Sequence, residues 1–142
     1  PRHVFLSYAR EDMASADRLK KALEAEGLSV WIDREGIQSG SWKDRVMEGL
    51  NRSRAVVLLL TKDSLNSDTV KKELSFAARK NVPIIPVHSG GIKEDQLPDW
   101  YTLDYGDLQQ HLLNTKNYGV SVKKLSSAVK KLRKKSRTVG QP

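Results

Sequence analysis

The chain has 142 residues, a length that favours one domain able to bury roughly two-thirds of its unfolded surface. It contains no cysteine, which excludes disulfides, thiol chemistry and thiolate zinc sites, and His3, His88 and His111 show no metal-ligand spacing. The net charge of +8 is concentrated: eight basic and no acidic residues lie from Lys123 onward, leaving 17 basic against 17 acidic residues in the body, which argues against a specific nucleic-acid groove.

No apolar run is long enough to span a membrane, and no signal peptide is visible. A first strand is predicted over His3-Val4-Phe5-Leu6-Ser7, followed by a helix that Asp12 is placed to cap, with Met13, Ala16, Leu19, Ala22 and Leu23 on its apolar face. Gly27 stands where a helix ends in the left-handed conformation. Leu28 to Ile32 then reads as a second strand, and so short a return predicts a parallel crossover. Asp33 to Gly40 has no periodicity and reads as a loop. Ser41 and Asp44 have capping-box spacing, so a helix is predicted there, with Val46, Met47 and Leu50 inward and Trp42 in its first turn.

The run Ala55-Val56-Val57-Leu58-Leu59-Leu60 organises the rest. An apolar run without alternation predicts a strand covered on both faces, in the middle of a parallel sheet. Thr61-Lys62-Asp63 reads as a turn, and Val70, Leu74, Ala77 and Ala78 form one stripe on the next helix. Glu73 lies about 60° from Val70 on the edge of that stripe, just past the carboxyl end of a central strand, where open α/β sheets build their sites.

Asn81 closes the helix, and Val82 to Val87 reads as a fourth strand whose prolines, Pro83 and Pro86, place it toward an edge or make it irregular. The segment from Ile92 to Trp100 is poorly patterned, and Tyr101 to Asp104 reads as a short edge strand. A last helix carries Val122, Leu125, Val129 and Leu132 inward and its lysines outward. Together these predict a flavodoxin-like, doubly wound, mostly parallel α/β sheet of about five strands flanked by helices. The domain is expected over residues 1–134 and a basic tail or linker over 135–142.

The sequence has neither a dinucleotide fingerprint nor a P-loop, and no serine-hydrolase elbow. A phosphoacceptor receiver needs an Asp after the third strand, where this chain has Thr61. Chemistry is left to carboxylates, hydroxyls, Arg and aromatic surfaces, without a metal.

Five segments in order resemble the Toll/interleukin-1 receptor (TIR) domain family. Val4-Phe5-Leu6-Ser7-Tyr8 is similar to its first-strand motif, and Gly27 to Asp33 to its second strand. Asp33 to Gly40 corresponds to its BB loop, Ser53 to Thr61 to its third strand, Lys72-Glu73-Leu74 to its E-L motif, and Pro83 to Val87 to its fourth strand. The lack of long insertions is more similar to bacterial members.

The resemblance implies an activity: many members cleave NAD+ at the nicotinamide–ribose bond with the helix glutamate, here Glu73, as catalytic residue. It implies nucleotide contacts at Tyr8, Arg10, Asp33 and Trp42, and assembly with other TIR domains through Gly36 and Ile37 of the BB loop. NAD+ is then substrate, no cofactor is needed, and ADP-ribose or a cyclic isomer is the product. A cytoplasmic role in antiphage defence, beside a sensor domain, is implied by the bacterial likeness. Family enzymes often carry an aromatic four residues before the glutamate, where this chain has Thr69. The competing reading is a non-catalytic TIR–TIR scaffold, or a virulence factor that mimics host adaptors.

Overall fold

The computed structural model describes residues 3–33, 40–90 and 92–132. Gly36 and Ile37 of the loop and the basic segment 135–142 lie outside the described residues.

Five strands, β1 (Val4–Ser7), β2 (Val30–Trp31), β3 (Ala55–Leu59), β4 (Ile84–His88) and β5 (His111–Leu112), form one sheet in the order β2-β1-β3-β4-β5. Every pairing is parallel. This is the doubly wound, flavodoxin-like arrangement, and its strand order reverses between β1 and β3. Parallel strands need crossovers, and the helices that provide them cover both faces.

On one face α1 (Met13–Ala25) and α6 (Tyr118–Lys131) bury Leu19, Leu23, Leu125 and Val129 against Val4, Leu6, Val57 and Val87. On the other, α2 (Trp42–Asn51), α4 (Asp68–Arg79) and α5 (Asp99–Tyr105) bury Trp42, Val46, Leu74 and Tyr101 against Phe5, Val56, Leu58 and Ile84. Successive strand residues point to opposite faces, so β3 needs apolar side chains at all five positions, and all five are buried. Helix α2 lies close to the sheet because Gly49 has no side chain: a Cβ there would stand 2.8 Å from the Trp31 ring, which itself stacks on Phe5.

Several expectations are corrected. The β4 strand lies second from the edge, between β3 and the two-residue edge strand β5, and pairs regularly with β3 despite its prolines. The carbonyls of Pro83 and Val87 accept from Val56 and Leu60 of the β3 side, so alternation turns the nitrogen of Pro86 the other way. On that side β5 pairs only with Val87 and His88, and the proline costs no ladder bond. Residues Tyr101 to Asp104 belong to α5, not to a strand. Pro98 and Asp99 suit a helix start, and Tyr101 and Tyr105, one turn apart, stack in one aromatic cluster with Trp100. The edge strand is His111–Leu112 instead.

The Thr61–Asp63 turn is the start of a short helix, α3 (Lys62–Leu65), closed by a capping box between Thr61 and Ser64. Two other caps differ in detail. Asp12 stands at the N-cap of α1, but its carboxylate accepts from Thr61 Oγ1 at 2.5 Å and makes no cap bond. Ser41 stands at the N-cap of α2, but its hydroxyl accepts from Arg45 Nη1 at 2.8 Å. In both, a tertiary or cross-turn partner outcompetes the backbone amide. Gly27 and Asn81 end their helices with positive φ, as their positions predict.

Candidate functional site

The site lies at the carboxyl ends of β1 and β2, beside the switch in strand order. Phe5 faces the layer of α2 and α4, and alternation sends Ser7, two residues on, to the same side. There its hydroxyl donates to Glu73 Oε1 at 2.8 Å. Helical spacing brings Glu73 to this point: Val70, Leu74 and Ala77 anchor the buried face of α4, and Glu73 turns inward with them. At 4% exposure it is a buried carboxyl.

Burial pushes Glu73 up to about 8, against the Ser7 hydrogen bond that favours the charged form, with the Asp33 carboxylate adding a further upward push. Near neutral pH burial therefore favours the protonated acid, held in place by an oxygen that can accept or donate.

Asp33 follows β2, and its side chain is 3% exposed. Arg45 of α2 reaches it, Nε to Oδ1 at 3.1 Å. The other carboxylate oxygen, Oδ2, is buried without a hydrogen-bond partner among the described residues, as is the indole Nε1 of Trp42. Trp42 itself is 6% exposed and packs against Phe76, ring centroids 5.9 Å apart. Phe76 sits one turn after Glu73 on α4, opposite in direction from Thr69, one turn before.

The structure thus brings Glu73 and Asp33 into one electrostatic neighbourhood and puts Trp42 in the same helix layer. It does not bring Tyr8 there: that ring is half-buried against the α1 and α6 layer, as the alternation after Ser7 requires. Arg10 is exposed on the 3-10 turn, Arg10–Asp12, which the Asp12–Thr61 bond ties to the start of α3. Three residues of this neighbourhood carried no role in the sequence. Ser7 is signalled by its two-residue spacing from Phe5, Phe76 by its three-residue spacing from Glu73, and Arg45 by the same spacing from Trp42. No cluster of three or more metal-ligating side chains occurs among the described residues.

A doubly wound domain with a buried helix carboxyl beside its switch point is the class that fold and site define. A family profile described as "TIR domain" matches residues 4–125. The chain belongs to the TIR domain family.

Among its relatives, the chain is 30% identical over 103 residues to the Stimulator of interferon genes protein of Magallana gigas, and 32% identical over 106 residues to the NAD(+) hydrolase sarm1 of Drosophila melanogaster. Each match takes in 68% of this chain but only 25% and 7% of the relatives, so the chain spans a quarter of their length or less. The TIR domain of the Toll-related receptor TRR-2 of Hydra magnipapillata superposes with a TM-score of 0.71 at 16% identity, covering 92% of this chain and 99% of the other. That likeness is one of fold.

Proposed function

We propose that the chain is an NAD+ nucleosidase in which Glu73 acts on the ribose of the nicotinamide half. The observation that carries the reading is the Glu73 carboxyl itself, buried and held by Ser7 beside the strand-order switch, in a TIR domain related to a protein named NAD(+) hydrolase.

The chemistry suits these groups. Breaking the bond between ribose C1′ and the pyridinium nitrogen leaves its electron pair on that nitrogen, and nicotinamide departs neutral, without a general acid. The positive charge passes to the ribosyl centre, where a carboxylate in a dry site is effective. The incoming pyridinium cation favours loss of the Glu73 proton, so the substrate itself generates the anion. Water then adds at C1′ and loses a proton, giving ADP-ribose. In a cyclase an adenine nitrogen adds instead.

Asp33 Oδ2 and Trp42 Nε1, an acceptor and a donor with no partner among the described residues, support their assignment to the nucleotide, and the exposed Arg10 suits a diphosphate. Tyr8 enters the proposal only as a residue flanking the nucleotide. Assembly through Gly36 and Ile37, a linked sensor domain and a role in bacterial immunity extend the proposal on the strength of the sequence resemblance.

The test is nicotinamide release from NAD+ by concentrated protein, with Glu73→Gln alongside and products separated by chromatography. We expect the substitution to cost on the order of a hundredfold or more in kcat, as for loss of a principal charge-stabilising group. No release at any concentration, including under crowding that promotes assembly, would overturn the enzyme and leave the TIR–TIR scaffold, which Thr69 favours.

A further inference from the structure

We propose that the cleft between α6 and the β5 edge is a binding site for a compact, multiply phosphorylated ligand, with Lys124, Lys131 and His111 as its main contacts. The site is separate from Glu73, and the proposal does not depend on nucleosidase activity.

The cleft has a volume of about 450 Å³ and is lined by Gln109 and His111 at β5 and by Lys123, Lys124, Ser127 and Lys131 of α6. The fold dictates both walls. His111 pairs with Val87 in the parallel ladder, and Val87 is buried in the layer of α1 and α6, so His111 points to that face. On α6 the inward positions include Val122, Leu125 and Val129. At 100° per residue, Lys124, Ser127 and Lys131 then share one stripe turned away from the core. Each of the six polar side chains can donate a hydrogen bond, and none is acidic.

The helix's own needs do not account for this charge. A helix C-terminus favours Lys130 and Lys131, and Lys130 is engaged at home, its Nζ donating to the Glu26 carbonyl at 2.6 Å. Lys123 and Lys124 lie mid-helix with no acidic residue three or four positions away. On α1, by contrast, Lys20 has Glu24 one turn on, at 3.3 Å. Lys123 reaches Glu26 at 3.9 Å, whereas Lys124 and Lys131 have no ion pair among the described residues. The sequence has no acidic residue after Asp107, so this part of the chain brings no counter-charge of its own.

The chemistry of the occupant follows. Lysine binds phosphate as a point charge, and the cleft has the size of a small-molecule site. Lys124 and Lys131 are about 10 Å apart along the helix axis, a separation that suits phosphate groups spread over a small scaffold better than a single phosphate. Such a ligand exists free or as the headgroup of an anionic lipid, and the cleft would recognise the same groups in both.

The experiment measures binding of the full chain to myo-inositol hexakisphosphate by calorimetry, and to phosphatidylcholine vesicles with and without phosphatidylinositol bisphosphate by co-sedimentation. We expect saturable binding of one ligand per chain. Lys124→Gln with Lys131→Gln should weaken it by about tenfold or more. Lys20→Gln with Lys72→Gln, which removes the same charge elsewhere, should leave it unchanged. So should Lys134→Gln, Lys135→Gln and Arg137→Gln together, which neutralise the tail.

Binding of the soluble probe supports the site with a free ligand, and binding to the phosphoinositide vesicles alone supports it with a lipid headgroup. The inference is overturned if neither probe binds, or if the cleft variant binds as well as wild type. It is overturned equally if the tail variant loses binding, or if polyglutamate or duplex DNA binds as tightly with the same dependence on Lys124 and Lys131.

Discussion

Ser7 and Glu73, 66 positions apart in sequence, meet through a 2.8 Å hydrogen bond in the buried layer between the sheet and α4. The bond does two things. It satisfies a serine that is 0% exposed, and it favours the carboxylate form of Glu73 against the opposing effect of burial.

Ser7→Ala should therefore act on ionisation more than on folding. A hydrogen bond to a charged acceptor is worth about 1.5–3 kcal/mol, and its loss pushes Glu73 further up. We expect kcat/KM for nicotinamide release at pH 7 to fall roughly tenfold or more, with the acid limb displaced to higher pH. A fall that is equal at every pH would show instead that Ser7 only positions the side chain.

The raised Glu73 has a consequence for stability. A group whose folded pKa lies above its unfolded value favours the fold below the unfolded value, and the advantage is lost as pH rises through the folded one. For Glu73 that window runs from 4.5 up to about 8. Glu73→Gln keeps a hydrogen-bond acceptor for Ser7 but cannot ionise. Its melting temperature should be close to wild type at pH 5 and clearly higher at pH 9, with a difference on the order of a few kcal/mol. Parallel melting curves across this range would mean that burial does not hold Glu73 in its neutral form.

Among the described residues Tyr101 is the largest fully buried side chain, and its hydroxyl has no hydrogen-bond partner among them. Burial drives its ionisation up to about 12, so at all ordinary pH values it is a neutral, unpaired O–H in an apolar layer. Such a group costs about 1–3 kcal/mol. Tyr101→Phe should stabilise the protein by about 1 kcal/mol or more in denaturant titration, without altering the contacts its ring makes with Trp100 and Tyr105. A destabilised variant would reveal a partner for the hydroxyl, such as a buried water.

Local pattern was sufficient wherever one segment's own chemistry decides its state. The unbroken Ala55–Leu60 run marked the central strand, the stripe on Val70, Leu74 and Ala77 turned Glu73 toward the interior, and Gly27 and Asn81 marked helix ends. Even the resemblance to TIR domains rests on short segments of this kind, in order.

What the sequence alone determined is thus the succession of elements, the parallel doubly wound class and the one helix glutamate at its switch point. Only the tertiary structure decided that Tyr101 to Asp104 is helical, that β4 lies between β3 and β5, that Asp12 and Ser41 serve distant or cross-turn partners instead of their own helix amides, and that Ser7 bonds Glu73 while Arg45 pairs with Asp33. The physical reason is the same in each case. A side chain takes the strongest partner within reach, and which partners are within reach is set by the packing of segments that are far apart in the chain.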